Sequence, residues 1–438
     1  MQGSPTASSL NARATRDTDH VSGFEFALLV ATLLVFSEGI LPRLLSGDAT
    51  SDGSALLRYL WLPIYAAAFA GIIWQARTVF QACLRLPFLM ALIGVCAVSF
   101  IWSIDPSLTQ RRSLAIVMTT VAGLYLGTRY SWQTMLRALA LVWLILAVSS
   151  FFAGLFAPGF GRDQIVHIGA WQGTFFEKNQ LGGVMARAAV FAAFLALMDK
   201  EFRWVWMTLL GLCGLLVLLS TSKTALLGLT LGLGVLGTCA LMKRGMATGL
   251  LVVWLGVFAM GIGAATLILA PELVFQLLGR DMTLTGRTDI WITLLDYIQQ
   301  RPLLGYGYGA FWAEGSFPGD WVRETLQWDA PTAHNGWMEV TLARGLVGLF
   351  FLMADFLMTV VRALFAAVNT WAGVFALAFL AQFFLFSLSE SASLQQNSIV
   401  WLIYVAVAAK LALRPKGRAM IKPARRLWRV RSSSPASI

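Results

Sequence analysis

Long apolar runs separated by short polar turns constrain this chain more than any other feature. They fall at roughly 24–41, 57–74, 86–102, 113–128, 135–157, 180–198, 204–220, 224–242, 247–270, 336–357, 371–388 and 397–413. Most approach the ~20 residues that a helix needs to cross a bilayer core of ~30 Å. In hydrocarbon each backbone N–H and C=O must find a partner within the protein, and continuous runs of this length satisfy that demand as helices. The alternating pattern of a membrane β-barrel is absent. With 58% hydrophobic residues, 13% charged residues and a mean hydropathy of +0.71, the 438 residues fall outside the soluble range. The fold expected is an all-α integral membrane protein of about twelve transmembrane helices, with one large external loop between spans nine and ten.

Three regions follow from this pattern: a polar leader 1–23, a polytopic membrane domain 24–413 with a loop at about 271–333, and a basic tail 414–438. The leader carries Arg13, Arg16, Asp17 and Asp19. The apolar run after Phe24 is therefore not flanked like a cleaved signal peptide and reads as a retained first span. An even number of spans puts both termini on one side. Arg77 and Arg85, Arg129, Lys200 and Arg203, Lys243 and Arg244, and Arg362 then lie in turns on the leader's side, which marks that side as cytoplasmic. The net charge of +11 is concentrated in the tail, from Lys410 to Arg431, where it suits a membrane surface better than nucleic acid. Cations that oppose the topology rule, among them Arg111, Arg112, Arg162, Lys178, Lys223, Arg280, Arg287, Arg301 and Arg323, call for an anionic ligand on the external face.

Most of the polar chemistry lies between Gly286 and Gly348, in the segments GRTDIW, RPLLGYGYGAFW and AHNGWMEVTLARGLVG. Ile290, Trp291, Leu294, Leu295 and Ile298 share one helical face before Arg301-Pro302, which predicts a short amphipathic helix lying on the membrane surface. Trp312, Trp321 and Trp328 follow, and two roles compete for them, interfacial anchoring and stacking on sugar rings.

His334 is one of three histidines, with Asn335 beside it where the loop re-enters the membrane. A lone histidine is more often structural, yet an imidazole there can take a proton from a hydroxyl. Cations are expected to surround it and keep it neutral. Lys178 and Lys223 end predicted spans, and snorkelling to the headgroups accounts for either one alone. Lys178, Lys223, Arg287 and His334 together, at one depth, would form a clamp for a lipid diphosphate. External carboxylates read as sparse and unpaired, which argues against a magnesium cage or a two-carboxylate hydrolase.

Other patterns carry less. Ser220 to Lys223 reads S-x-x-K without the companion motifs of penicillin-binding enzymes. Gly305, Gly307 and Gly309 follow no strand, so a turn with close backbone contact is expected, not a dinucleotide site. Gly228 with Gly232, and Gly245 with Gly249, predict close helix packing. Cys83, Cys96, Cys213 and Cys239 lack metal-ligand spacing and read as buried thiols. No metal or cofactor is expected.

As an ordered set, Gly286-Arg287-x-x-x-Trp291, the PLLGYGYGAF turn, His334-Asn335 and Gly345-Leu-Val-Gly348 resemble the O-antigen ligase-like superfamily, which includes the Wzy-type polymerases. WSIDPSLTQRR, FFEKNQLGG and STSKTALLGL resemble its exopolysaccharide polymerase branch, so the likeness covers most of residues 86–360. The resemblance implies a metal-independent glycosyltransferase of the bacterial inner membrane, with about twelve spans and a periplasmic active site. Its donor would be an undecaprenyl-diphosphate-linked oligosaccharide. An acceptor glycan, membrane lipid, a chain-length regulator and a flippase are the other expected partners. By position, Arg287 and Lys223 would hold the diphosphate and His334 would activate the acceptor hydroxyl. Lys178, Asn179, Asn335 and Trp291 complete the expected substrate-binding set. Many relatives have arginine where this chain has Lys223, and lysine lacks the planar fork. Polymerisation of lipid-linked units is the leading expectation. Ligation of a finished glycan to lipid A core or protein comes second, and transport of the lipid-linked glycan third. Charges gathered on one face, with few at mid-membrane, favour transfer over transport.

The topology is testable with a cysteine at Gly315, inside the large loop. It should react with a membrane-impermeant maleimide in intact spheroplasts, and protection there would reverse the orientation.

Overall fold

A computed structural model describes residues 21–46, 55–165, 167–269, 287–327, 329–391 and 393–413. Most of the leader with His20, the loop stretch 270–286 with Arg280 and Gly286, Trp328, and the tail 414–438 lie outside the described residues. Most of the rest is helical, and the extended pairing among the described residues is one isolated bridge between Arg162 and Trp171.

The main helices are α1 (Gly23–Phe36), α2 (Ala55–Trp74), α3 (Ala76–Arg85), α4 (Pro87–Val98), α5 (Pro106–Arg129), α6 (Trp132–Phe156), α7 (Lys178–Met198), α8 (Arg203–Leu219), α9 (Lys223–Met242) and α10 (Met246–Leu269). After them come α11 (Arg287–Gln300), α12 (Phe317–Leu326), α13 (Gly336–Asn369), α14 (Trp371–Ser389) and α15 (Ile399–Ala412). Each of the twelve apolar runs coincides with a helix. Five of them, α6, α7, α9, α13 and α14, are by themselves long and apolar enough to cross a membrane. A multi-pass helical membrane protein is the result.

One expected turn is different. Residues 76–85 form a helix bent by 92° from α2, with Val79 and Ala82 turned inward and Phe80 and Leu84 exposed. Arg77 and Arg85 lie among them, as in a helix that rests on a headgroup layer.

Two helices form the interior. Nearly every residue of α15 is buried, as is most of α7, and a helix buried all round has no solvent or lipid face to present. Trp401 stacks on Tyr404 and Tyr404 on Phe383, while the Tyr404 hydroxyl donates to Asp355 Oδ2 at 2.6 Å. Gly228 and Gly232 bring α9 against α14 and α7, where an added Cβ would fall 2.5 Å from Phe386 of α14 and 2.6 Å from Val190 of α7. Gly245 and Gly249 do not join two spans in this way. An added Cβ on Gly249 meets Met242 across the tight turn between α9 and α10.

The basic turns gather at one end of the bundle. Arg129 pairs with Glu25 at 2.9 Å, Arg85 donates to Ala412 O at 2.9 Å, Arg362 donates to Arg85 O at 2.6 Å, and Lys243 donates to Ala367 O at 2.7 Å. Cations of the other group lie at the opposite end: Arg112 donates to Gly309 O at 2.5 Å and Arg301 to Trp102 O at 3.5 Å.

α13 is broken at Gly345, whose φ of 64° and ψ of −166° leave the helical region. In an intact helix Leu346 and Val347 would donate to Leu342 and Ala343. The segment from Pro302 to Gly307 takes over all four groups. Leu346 N donates to Pro302 O at 2.7 Å and Val347 N to Leu303 O at 3.3 Å, while Leu342 O accepts from Tyr306 N at 2.8 Å and Ala343 O from Gly307 N at 3.0 Å. An added Cβ on Gly305 would fall 2.3 Å from Leu342 O, and one on Gly345 would fall 2.1 Å from Leu303. The expected close-contact turn is thus an interlock with the broken helix.

Gly345→Ala should lower the thermal unfolding midpoint of detergent-purified protein sharply, since a side chain at this φ costs about 1–3 kcal/mol before the clash is counted. An unchanged midpoint would contradict the interlock.

Candidate active site

α11 and α12 fold over the end of the bundle that carries the broken helix. Ile290 and Leu294 are fully buried against Tyr306, Phe311, Val322, Ala330, Ala333 and Leu342. The apolar face of α11 therefore seals a small core outside the membrane bundle, which corrects the expectation of a helix laid on lipid; Leu295, also on that face, is exposed. Trp312 is an anchor within this core, with Nε1 donating to Glu339 Oε1 at 2.9 Å. Trp321 remains exposed.

This core fixes the chain on both sides of His334. Ala333 N donates to Glu339 Oε1 at 2.6 Å, and Ala333 O accepts from Trp291 Nε1 at 2.9 Å. Asn335 is the N-cap of α13, its Oδ1 accepting from Trp337 N at 3.0 Å and Met338 N at 3.2 Å. Trp291 and Asn335, expected to bind substrate, are thus engaged in placing their neighbour. Between these anchors His334 adopts a φ of 48°, a conformation that histidine visits more readily than most residues and that the surroundings must enforce.

His334 and Arg287 converge on Glu390. The His334 Nδ1 lies 3.8 Å from Glu390 Oε2, Arg287 Nη2 lies 3.5 Å from Oε1, and Arg287 Nη1 donates to Ser389 O at 2.7 Å. Arg287 therefore also meets the carbonyl end of α14, where a cation is favoured. Glu177 belongs to the same neighbourhood. Desolvation and the Glu390 charge raise its carboxyl above the usual range, while His334 pulls the other way. A carboxylate next to His334, with a second in electrostatic reach, corrects the expectation of an all-cationic surrounding and of sparse, unpaired external carboxylates.

The lysines lie beside this group. Lys178 opens α7, directly after Glu177, and its Nζ donates to Thr221 Oγ1 at 3.3 Å. Thr221 has a φ of 53°, Ser222 caps α9, and Lys223 is the exposed first residue of that helix. Burial and the Lys178 charge lower the pKa of His167 in the loop above. Asn179 follows in the first turn of α7, half-buried. The structure thus brings the FFEKNQ and STSK segments together and sets them against the His334 group through Glu177.

Two buried arginines were overlooked. Arg187 lies more than two turns into α7, 8% exposed, with its guanidinium 4.2 Å from the Phe386 ring centre and Nη1 donating to Gly183 O at 3.1 Å. Arg344, 1% exposed, lies 4.2 Å from the Tyr308 ring centre, at the helix break. Charge inside an apolar span is itself the signal that could have found them. Among the described residues no three His, Cys, Asp or Glu side chains are grouped to hold a metal ion.

Residues 206–353, which include Lys223, Arg287, Trp291, His334, Asn335 and Gly345, match the family model described as O-antigen ligase. Over these residues the chain is similar to the O-antigen ligase family. It is also 27% identical over 305 residues to the exopolysaccharide production protein ExoQ of Rhizobium meliloti (strain 1021), covering 67% of each chain. Glu177, Lys178 and Glu390 lie outside the O-antigen ligase match but in the same site.

Glu339 links Trp312, Ala333 and the start of α13, so its loss is informative. Glu339→Ala should lose about 1–3 kcal/mol for each donor left without an acceptor. Thermal unfolding of the purified variant checks this, and a wild-type midpoint would contradict it.

Proposed function

We propose that the protein is an inner-membrane glycosyltransferase that polymerises undecaprenyl-diphosphate-linked repeat units of an exopolysaccharide, acting at the periplasmic face. About twelve spans with both termini cytoplasmic complete this reading. The observation that carries it is the convergence of His334 and Arg287 on Glu390, beside Glu177 and Lys178. A base and several cations then share one membrane-proximal end, as transfer from a lipid diphosphate requires. The O-antigen ligase match and the exopolysaccharide role in the name of the relative support the substrate class.

In this mechanism the acceptor sugar hydroxyl attacks the anomeric carbon of the donor, and His334 takes its proton. The C–O bond to the diphosphate breaks as the new glycosidic bond forms, and undecaprenyl diphosphate leaves with the bonding pair. A single displacement inverts the anomeric centre. Arg287, Lys178 and Lys223 neutralise the departing diphosphate, a task that needs only fixed cations. Arg287 opens α11, so backbone N–H groups of its first turn add to the anion site. Glu390 holds Arg287 in place until the donor arrives and orients the imbalance of charge around His334. Transfer of a finished glycan to another acceptor would use the same donor site. Glycans of a deletion strain separate the two readings, since a polymerase mutant leaves single units and a ligase mutant leaves long chains on lipid.

General base catalysis contributes about 10²- to 10⁴-fold, so His334→Ala should cost that much in turnover at near-normal donor affinity. Collapse of donor affinity with near-normal turnover at saturation would make His334 a binding residue. Arg287→Lys keeps the charge but loses the fork, so its activity should fall well below wild type at equal protein level, and near-wild-type polymer from Arg287→Ala would remove Arg287 from the site. Activity on lipid-linked units should persist in excess EDTA; a loss that magnesium or manganese restores would refute the cation-only mechanism.

A further inference from the structure

A cleft of about 540 Å³ opens beside the small external core, lined by Asp105, Tyr297, Gln300, Arg301, Glu314 and Phe317 among others. It is built from the WSIDPSLTQRR segment, the far end of α11 and the approach to α12, none of which takes part in the His334 site.

Its walls are held in place by contacts inside the protein. The Tyr306 hydroxyl donates to Tyr297 O at 3.0 Å, and the two rings meet edge to face at 6.2 Å. The Arg301 guanidinium lies 4.9 Å from the Tyr306 ring centre and donates to Trp102 O. Asp105 caps α5, and the Leu108 N–H holds its carboxyl below the usual carboxylate range. At the rim Phe317, 76% exposed, stacks with the exposed Trp321 at 6.3 Å and 26°.

Aromatic faces interleaved with an amide, a guanidinium and carboxylates suit a carbohydrate. Sugar rings lay C–H faces on aromatic rings, and their hydroxyls exchange hydrogen bonds with planar polar groups. Charge disfavours the alternatives. Asp105 and Glu314 outnumber Arg301 among the six named residues, which repels a diphosphate, and an acyl chain would leave three charged groups desolvated. Position adds to this. Arg287 and Gln300 end the same helix, so the cleft lies roughly 20 Å along α11 from the His334 group at 1.5 Å per residue. That distance spans several sugar residues.

We propose that this cleft is a second glycan subsite, which holds sugar residues of the lipid-linked chain several positions from the bond being made. The inference rests on reading the His334 group as a glycosyl-transfer site. A chain held there is retained between additions, so the cleft sets product length.

Lipid-free fragments of the host's own secreted polysaccharide, sized to one, two and four repeat units, are the probe. Wild-type protein in nanodiscs should bind the four-unit fragment more tightly than the single unit, read by calorimetry. The Phe317→Ala, Gln300→Ala double variant should bind the long fragment at least about tenfold more weakly and give shorter polymer in cells. Both side chains are exposed, so its melting temperature should match wild type; should it fall, Glu314→Ala provides the same binding comparison. Equal binding by variant and wild type, or no binding by wild type, overturns the proposal. Length-dependent binding by a protein that transfers no glycan would sink the transferase reading and leave the cleft standing, while normal transfer without cleft-dependent binding would do the reverse.

Discussion

Four backbone groups opened at Gly345 hold this architecture together. An unpaired N–H or C=O within a membrane bundle costs several kcal/mol, so a break in a spanning helix persists only where other backbone satisfies it. Pro302 to Gly307 supplies that backbone, and glycines at 305 and 345 give it room. The consequence reaches the site directly. The first turns of α13 become a short arm tied to the external core, and His334 is the residue just before its cap. Arg344 lies over the Tyr308 ring at the same junction.

The electrostatics depend on that placement. Arg287 and His334 come from either end of the external segment, yet both reach Glu390 at the end of α14. A carboxylate between a cation and an imidazole offsets part of the positive charge gathered there. Preorganised charge of this kind is what a reaction releasing a diphosphate demands. Arg187, buried in α7, also interacts electrostatically with Glu390.

The helices were legible because hydrocarbon leaves a chain of this hydropathy few other solutions. The glycines of the PLLGYGYGAF turn were legible as a close approach, since three of them at alternate positions have no use in a helix. What they approach was not, because nothing in ARGLVG marks a helix break. The apolar stripe of α11 showed that one face is buried, but periodicity is the same whether lipid or a local protein core covers it. Glu390 stayed invisible for another reason. It follows α14 in a short polar turn, and only the packing of α14 against α13 brings it to His334. Glu339 was likewise hidden inside an apolar run, where its acceptor role for Trp312 and Ala333 appears only in three dimensions.

A structure of the protein in nanodiscs with a lipid-linked donor bound tests the central claim most directly. The account predicts the diphosphate at the end of the bundle that carries the interlock, against Arg287 and the Lys178 and Lys223 pair, with the anomeric carbon facing His334. A diphosphate bound at the opposite end, among Arg85, Lys243 and Arg362, would contradict it.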